Sequence, residues 1–437
     1  MKPSELKVSS AYILSGVTGI LFVLLFPPFN FHLLAWVCLV PLLVAASGRT
    51  PLTAFKCGIV AGFMYFGGVM PWLINVMNEY GHISNWLSFI LMMVLVAYMS
   101  LYIGLFAWSA AYYRLSADWV VLSPFLFVTL EYLRGHLLTG YPWALLAHSQ
   151  HLNPAVIQIA SITGVYGVTF IIVLVNSAIA HYLLSRDDAR LSSKLLAGAL
   201  LIAVVNTTWG FWKAGNVESA GGKTFKAAII QGNIDQGIKW DSEFREAVLS
   251  KYFRLTLRAA KKRPDLIVWP ETAVPFYYGR DMESTQRLRA LVRKISVPLI
   301  FGGLGLLPDV TRNRYDVSNR AFLLRPEGEA EHYDKMHLVP FGEYVPLRRI
   351  LFFVDKITDA VRGDISAGSS SVPLSLNGIS VGIQICYEII FAEPSRAFVR
   401  NGASVIVNIT NDAWFGNTAA SAQHMMSLPF RAVENRI

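Results

Sequence analysis

Long apolar stretches follow one another through the first half of the chain. A helix of about 20 residues is long enough to cross a hydrocarbon core about 30 Å thick, so each stretch predicts a membrane span. The seven predicted spans are Ala11–Phe26, His32–Ala46, Ala54–Leu73, Leu87–Tyr112, Trp119–Leu133, Ile159–Leu184 and Leu195–Trp212. The first stretch is followed by Pro27, Pro28 and a second apolar run. This arrangement is not typical of a cleavable signal peptide. The pattern predicts a multi-span helical membrane domain over residues 1–213.

Short β-branched runs alternate with amphipathic segments from Lys226 onward. The predicted strands are Ala227–Gln231, Leu266–Trp269, Leu299–Gly302, Arg320–Leu324, Val381–Ile385 and Ser404–Ile409. The predicted helices are Glu243–Lys261, Ser284–Lys294, Glu393–Arg400 and Ala419–Ala432. Alternating strands and helices favour an α/β layered domain over residues 224–437, with functional groups at the strand ends.

Composition agrees with this division of the chain. Residues 1–212 contain nine Lys/Arg and six Asp/Glu, whereas the remaining residues contain 29 and 23, which is ordinary for a globular domain. This contrast excludes a one-piece cytosolic enzyme. The three cysteines, Cys38, Cys57 and Cys386, lie in separate segments and exclude a disulfide-stapled scaffold. Many basic residues of this chain of net charge +9 lie between apolar segments, which indicates a membrane surface rather than a nucleic-acid partner.

The distribution of basic residues predicts the orientation in the membrane. With the N-terminus in the cytoplasm, the outer connections of the first half carry only Arg134. The basic residues then on the cytoplasmic side are Lys2, Lys7, Arg49, Lys56, Arg114, Arg186, Arg190 and Lys194. Because positively charged loops resist translocation, this asymmetry predicts a cytoplasmic N-terminus. Seven crossings then leave the second domain on the outer side.

Two polar pairs interrupt the apolar half. Glu131 and Arg134 are three residues apart on one helix face, which is typical of a structural ion pair. The alternative is an arginine that holds a phospholipid phosphate. His148 and His151 form an HxxH pattern without the glutamate of HExxH, so no metal site is predicted.

Three reactive side chains in the second half suggest acyl-transfer chemistry. Glu271 and Cys386 come closely after predicted strands, and Lys335 lies in the segment Tyr333–Glu343. A thiol can attack a carbonyl while a carboxylate takes its proton and an ammonium stabilises the oxyanion. Any one of these residues alone is more typical of packing or of a solvated surface. All three together favour catalysis.

At these residues the sequence resembles the nitrilase superfamily, whose Glu-Lys-Cys triad lies in an α-β-β-α sandwich. The segments Trp269–Glu271 and Ile385–Glu388 and the segment around Lys335 match in order and spacing. The resemblance narrows to the apolipoprotein N-acyltransferase family through the seven spans and four further motifs. These motifs are Gly140–Trp143, Gln231–Asn233, His337–Glu343 and Asn411–Gly416. The expected fold is a multi-span α-helical membrane domain followed by an α/β nitrilase-like sandwich domain.

The resemblance implies an enzyme of the bacterial inner membrane with its catalytic domain in the periplasm. The family transfers the sn-1 acyl chain of a phospholipid to the N-terminal amine of a lipoprotein's diacylglyceryl-cysteine. No cofactor, metal or nucleic-acid partner is expected. In the family the domain continues beyond the position of Ile437 with strands and a closing membrane helix, so the second domain is expected to be incomplete at its C-terminal end.

The resemblance also assigns roles to individual residues. It makes Glu271 the general base, Lys335 the oxyanion stabiliser and Cys386 the nucleophile of a ping-pong reaction. Glu343 resembles the second carboxylate of the superfamily, which orients the lysine and supports proton transfer. Residues that resemble those shaping the acyl and amine pockets are Glu388, Tyr387, Trp240, Trp414 and Phe415. The alternatives are ordinary packing for the aromatic residues and a surface ion pair for Glu388.

Other interpretations use the same residues differently. A membrane-tethered nitrilase-type amidase would use the same triad with water as the second nucleophile. A non-catalytic scaffold or a transporter is the third class, and the few intramembrane charges disfavour a transporter. The segment Ile350–Val354, flanked by Arg348, Arg349 and Lys356, is typical of an amphipathic arm in the headgroup region or of a buried internal helix.

Overall fold

The computed structural model describes residues 7–185, 188–217, 224–234, 243–309, 314–328, 330–346, 348 and 365–437. Contacts divide the chain into two compact units. The first comprises Met1–Glu79, Ile83–Gly221 and Asn417–Arg436, and the second comprises Tyr80–His82, Gly222–Gly416 and Ile437. The domain boundaries inferred from the sequence stay predictions. The sequence assigns residues 417–436 to the second domain, whereas their contacts group them with the first unit.

The first unit is helical. Its helices before residue 218 are α1 (Val8–Leu25), α2 (Val40–Ala46), α3 (Pro51–Val69), α4 (Trp72–Glu79), α5 (Asn85–Tyr112), α6 (Ala117–His136), α7 (Pro154–Ile157), α8 (Ala160–Thr163), α9 (Val165–Leu184) and α10 (Ala189–Val217). Among the described residues, five helices are long and apolar enough to cross a membrane: α1, α3, α5, α9 and most of α10. The predicted helical character of this half is confirmed.

Two of the seven predicted spans are not among these five helices. The stretch His32–Ala46 forms the short 3₁₀ helix His32–Trp36 and then α2, which is only seven residues long. The stretch Trp119–Leu133 lies within α6, which contains Pro124 and carries charged residues near both ends. The count of seven crossings therefore stays a prediction.

Glycine allows α3 and α5 to pack closely. A Cβ atom added to Gly58 would lie 2.5 Å from the carbonyl oxygen of Ile103, and one added to Gly62 would lie 2.7 Å from Cα of Ser100. Small residues at helix interfaces let backbones approach in this way. The backbones of the two helices are in contact at Gly58, so this pair of helices depends on the missing side chain.

The buried pair in α6 organises a neighbouring loop. Arg134 Nη2 lies 3.7 Å from Glu131 Oε1, and Arg134 Nη1 donates to the carbonyl of Trp143 at 2.9 Å. Glu131 accepts hydrogen bonds of 2.8 Å from the backbone N–H of Leu146 and from the hydroxyl of Thr169. Because Glu131 and Arg134 are 6% and 3% exposed, these bonds favour the structural interpretation of the pair.

The described residues of the second unit form two sheets. The first has the strand order β1 (Ala227–Ile229), β2 (Leu266–Val268), β3 (Leu299–Asp309), β4 (Arg314–Leu324) and β5 (Ala330–Asp334). Strands β1 to β3 are parallel, and β3 to β5 are antiparallel. The second sheet has the order β6 (Leu374–Leu376), β7 (Ile379–Ile385) and β8 (Val405–Ile409), with β7 parallel to β8.

Side-chain alternation along the strands separates two cores. Ile267, Trp269 and Phe301 point into a core with the helices α11 (Arg245–Ala260) and α12 (Met282–Ile295). The intervening strand positions pack instead against the second sheet and helix α13, which spans Ala392–Arg400. Because neighbouring strand residues face opposite sides of a sheet, the two sheets lie between helical layers, as the predicted fold class requires.

The C-terminal helices belong to the first unit. The predicted helix Ala419–Ala432 is two helices, α14 (Ala420–Met425) and α15 (Leu428–Asn435), because Pro429 starts a new helix rather than continuing one. Gln423 accepts a hydrogen bond from Trp143 Nε1 at 2.9 Å and donates to the carbonyls of Pro27 and Val69 at 3.2 Å. Glu434 Oε1 accepts the first backbone N–H of α9 at 2.8 Å.

Candidate active site

Strand ends bring the predicted catalytic side chains into one buried region of the second unit. Glu271 follows β2, Lys335 directly follows β5 and Cys386 directly follows β7. Glu271 and Lys335 are 6% and 1% exposed, and Cys386 is partly buried. Burial of a carboxylate and an ammonium at strand ends is typical of a site where chemistry occurs.

Lys335 lies among carboxylates. Its Nζ is 3.0 Å and 2.9 Å from the two oxygens of Glu343, and 4.0 Å from Oε1 of Glu271. Burial by itself would lower the pKa of Lys335, but the charges of Glu343 and Glu271 outweigh it and hold the pKa above its ordinary value. The side chain is therefore an ammonium at neutral pH and can stabilise a developing oxyanion.

Amide donors fix both carboxylates. The backbone N–H of Asn411 donates to Glu271 Oε2 at 2.9 Å, and that of Val339 donates to Glu343 Oε2 at 2.8 Å. The side chain of Asn319 donates to Oε1 of Glu271 at 2.7 Å and to Oε1 of Glu343 at 2.9 Å. Hydrogen bonds to charged groups are about twice as strong as neutral ones, so these donors hold the carboxylates in one geometry.

Cys386 occupies a strained position at the end of β7. Its φ is +53°, in the left-handed region that residues with a side chain rarely adopt, and the short helix Cys386–Ile390 begins there. Burial and then the charge of Glu271 raise the pKa of the Cys386 thiol well above its ordinary value, although Lys335 opposes this. The thiol is thus protonated at neutral pH, so a reaction through the thiolate would need a base to accept this proton.

Glu388 is a fully buried hydrogen-bond acceptor. Its Oε1 accepts from the hydroxyl of Tyr333 at 2.8 Å and from the backbone N–H groups of Met336 and His337 at 2.8 Å and 3.0 Å. Its Oε2 accepts from the backbone N–H of Ile385 at 2.7 Å. The alternative of a surface ion pair is wrong, because the side chain is 0% exposed. Glu388 ties the segment after Lys335 to the strand that ends at Cys386.

The predicted pocket residues have different surroundings. Tyr387 is 9% exposed, and its ring lies edge-on to Phe391 with 5.1 Å between the centroids. Trp414 is 38% exposed and Phe415 is partly buried, both in the short helix Asp412–Phe415. Trp240 and the segment Ile350–Val354 lie outside the described residues. The substrate-binding roles of these aromatic residues stay predictions.

Some residues of the site had no signal in the sequence. Asn319 sits one position before the predicted strand Arg320–Leu324, and Asn411 contributes only its backbone N–H. Tyr80 comes from the first half of the chain, and its ring lies 4.5 Å from that of Trp414, with its hydroxyl bound to the carbonyl of Ala413 at 3.1 Å. Within the described residues, no group of three or more His, Cys, Asp or Glu side chains could hold a metal ion.

Known proteins resemble this chain over nearly its whole length. Residues 18–178 match the family described as the apolipoprotein N-acyltransferase N-terminal domain, and residues 226–437 match the carbon-nitrogen hydrolase family. An apolipoprotein N-acyltransferase of Geobacter metallireducens is 39% identical and covers 98% of this chain and 82% of its own length. The Methylococcus capsulatus protein of the same name is 33% identical, with 97% and 82% covered.

Solved structures resemble this chain more distantly. An amidase from Nesterenkonia is 22% identical, with a TM-score of 0.35, and covers 49% of this chain and 74% of the amidase. A carbon-nitrogen hydrolase from Helicobacter pylori is 19% identical, with a TM-score of 0.31, and covers 43% of this chain and 59% of the hydrolase.

Proposed function

This chain belongs to the apolipoprotein N-acyltransferase family, and we propose that it transfers an acyl chain from a phospholipid to the N-terminal amine of a diacylglyceryl-cysteine lipoprotein. Its matched carbon-nitrogen hydrolase domain would supply the chemistry, and its helical half would hold that domain at a membrane. We further propose that the membrane is a bacterial inner membrane, with the N-terminus cytoplasmic and the catalytic domain periplasmic.

One observation carries the proposed catalytic roles. Lys335 Nζ is hydrogen-bonded to Glu343 and lies 4.0 Å from Glu271, and the charges of Lys335 and Glu271 both act on the thiol of Cys386. A carboxylate and an ammonium whose charges both act on one thiol support nucleophilic acyl transfer. It supports Glu271 as the general base, Lys335 as the oxyanion stabiliser and Cys386 as the nucleophile.

The first step forms a thioester. The sulfur of Cys386 attacks the ester carbonyl of the phospholipid while Glu271 accepts the thiol proton, and Lys335 stabilises the oxyanion of the tetrahedral intermediate. The carbon–oxygen bond of the ester then breaks. The leaving alkoxide takes the proton from Glu271 and departs as lysophospholipid, so the acyl chain stays on the sulfur.

The second step releases the acyl chain to an amine. The lipoprotein amine attacks the thioester carbonyl, Glu271 accepts a proton from the attacking nitrogen, and Lys335 again stabilises the oxyanion. The carbon–sulfur bond breaks, the thiolate of Cys386 recovers a proton from Glu271, and an amide is formed. The enzyme returns to its starting state without a cofactor.

A membrane anchor suits this acyl donor. Exposing an acyl chain to water costs about 0.8 kcal/mol for each CH₂ group, so extracting a phospholipid from a bilayer into a soluble enzyme is expensive. A catalytic domain held at the bilayer surface avoids this cost, because the chain can pass from lipid to protein without full exposure. The five apolar helices support such an arrangement.

Intact-mass analysis tests the proposed intermediate. After incubation with phospholipid in detergent, the protein should gain the mass of one acyl chain, and hydroxylamine should remove it. Cys386→Ser should gain no hydroxylamine-sensitive adduct, whereas Cys57→Ala, at a buried cysteine in α3, should behave like the unaltered protein. Absence of an adduct, or its persistence in Cys386→Ser, would contradict the proposal. Release of free fatty acid without aminolysis would instead favour the amidase alternative.

A further inference from the structure

The side chain of Asn319 bridges the two carboxylates of the site. Its Nδ2 lies 2.7 Å from Glu271 Oε1 and 2.9 Å from Glu343 Oε1, and the residue is 4% exposed. Only the NH₂ end of an amide can face two carboxylate oxygens, because the carbonyl end would repel both. Among the described residues, Oδ1 of Asn319 accepts no hydrogen bond, so the two carboxylates determine how the amide is oriented.

The strand holds Asn319 firmly between these partners. Its carbonyl accepts the backbone N–H of Lys335 at 2.9 Å. On the opposite face of β4, Ser318 and Arg320 both donate to Asp334, with Arg320 making bonds of 2.7 Å and 2.9 Å. The residues on either side of Asn319 are therefore tied to β5, so the backbone of Asn319 holds a fixed position beside the carboxylates.

The charges of the site create a problem that this amide can solve. Oε1 of Glu271 and Oε1 of Glu343 both lie within hydrogen-bonding distance of one nitrogen, and the ammonium of Lys335 lies within 4.0 Å of both carboxylates. Like charges this close disfavour simultaneous ionisation, so such a pair tends to bind a shared proton. A proton on either carboxylate would stop Glu271 from acting as a base or weaken the hold of Glu343 on Lys335.

We propose that Asn319 is a positioning residue that keeps Glu271 and Glu343 ionised at the same time, by donating one hydrogen bond to each. This inference rests on the proposed function, and it gives Asn319 an electrostatic role rather than a structural one. Among the described residues, the titratable groups around the pair include Lys335, Cys386, Asp412, His337, Tyr387 and Glu388, whose charges act on the same cluster. None of them can donate two neutral hydrogen bonds at once.

Three variants of Asn319 separate an electrostatic role from a packing role. Asn319→Asp keeps the shape but replaces both donors with an acceptor, and Asn319→Leu keeps a similar volume without any polar group. The acid limb of the pH profile for acylation of Cys386 by an activated fatty-acyl ester should move to higher pH by about one unit in Asn319→Leu. It should move further in Asn319→Asp, although Asp fits the space better. Asn319→Ser, which restores one donor, should shift less than Asn319→Leu.

An exposed asparagine provides the control. The side chain of Asn401, at the end of α13, donates to Ser371, and Asn401→Leu should leave the acid limb unchanged. The inference is wrong, and Asn319 acts through packing, if Asn319→Asp shifts the acid limb least of the three variants. The same conclusion follows if acylation rates fall without any shift of the acid limb.

A second measurement needs no catalysis. Infrared difference spectra at neutral pH should show an added protonated carboxyl group in Asn319→Asp and Asn319→Leu, relative to the unaltered protein. Spectra without this group would overturn the inference whatever the acylation rates are. Failure of the unaltered protein to acylate would contradict the proposed function, whereas the spectra would still decide the role of Asn319.

Discussion

At the scale of single residues, the chemistry of this site depends on how one ammonium is shared. Lys335 is 1% exposed, binds Glu343 through both carboxylate oxygens and lies 4.0 Å from Glu271. Glu271 also accepts hydrogen bonds from the amides of Asn319 and Asn411, one on each oxygen. Lys335 thus lies nearer to Glu343 than to Glu271, which suits the proposed roles, in which Glu343 holds the ammonium and Glu271 accepts the thiol proton.

The balance of charges predicts how Cys386 reacts with a simple alkylating agent. The charge of Glu271 raises the pKa of the Cys386 thiol and the charge of Lys335 lowers it. Glu271→Gln should therefore lower this pKa and increase the thiolate fraction at a fixed alkaline pH, so the rate of alkylation by iodoacetamide should rise by on the order of threefold to tenfold. Acylation by phospholipid should be lost in the same variant, because the base is gone.

The opposite change provides the control for this prediction. Lys335→Met removes the charge that lowers the thiol pKa, so alkylation of Cys386 at the same pH should become slower. Both rates can be followed by intact mass. Equal alkylation rates in the two variants would mean that the charges do not act on the thiol as inferred.

Glu388 is expected to matter for folding as much as for activity. Four donors now bind the two carboxylate oxygens of Glu388. Glu388→Gln replaces one of these oxygens with an NH₂ group, which cannot accept their hydrogen bonds. Because buried donors are left without acceptors, the variant should lose about 3 kcal/mol of stability. Thermal unfolding in detergent measures this loss, with Glu393→Gln on the adjacent helix α13 as a control at an incompletely buried site. An unchanged unfolding temperature would show that the four hydrogen bonds are not important for folding.

At the scale of elements, sequence patterns locate most strands and helices but not their full extents. The strand β7 and the helix α11 lie close to their predicted bounds, because β-branched and amphipathic patterns are strong there. By contrast, β5 reads Ala-Glu-His-Tyr-Asp and has no apolar alternation, so its pairing with β4 decides its structure. The long β3–β4 hairpin extends beyond its apolar part for the same reason.

Candidate residues were predictable where the side chain itself carries the chemistry. Glu271, Lys335 and Cys386 follow strands in a recognisable order, so local sequence is enough to propose them. The bridging role of Asn319 depends on the pairing of β4 with β5, and the contribution of Asn411 is a backbone N–H that any residue has. Such contributions come from tertiary geometry, and no local pattern indicates them.

The close packing of α3 and α5 gives a prediction for the helical unit. A Cβ atom at Gly58 would lie 2.5 Å from the carbonyl oxygen of Ile103, so Gly58→Ala should push the helices apart and lower the unfolding temperature in detergent by several degrees. Gly198→Ala in α10 is a matched control, because nothing lies within 4 Å of its added Cβ and alanine favours helix. If both variants unfold alike, close packing at Gly58 is not required.

At the scale of the whole molecule, a membrane-anchored acyltransferase explains why two unlike halves occur in one chain. Among the described residues, the helical half has few charged side chains. Its buried Glu131 and Arg134 bind each other and a neighbouring loop. The second half has a buried acid–base cluster on a fold shared with enzymes that act on carbon–nitrogen bonds. Anchoring such a cluster at a bilayer would bring it close to a phospholipid acyl donor.

Transfer of a labelled chain tests this account most directly. Protein carrying an isotopically labelled acyl group on Cys386 should be isolated free of phospholipid and then mixed with a diacylglyceryl-cysteine peptide. The account predicts that the label leaves the protein and appears on the N-terminal amine of the peptide, while a peptide with a blocked amine gains none. If the label is released as free fatty acid, or stays on the protein with the peptide present, the acyltransferase account is contradicted.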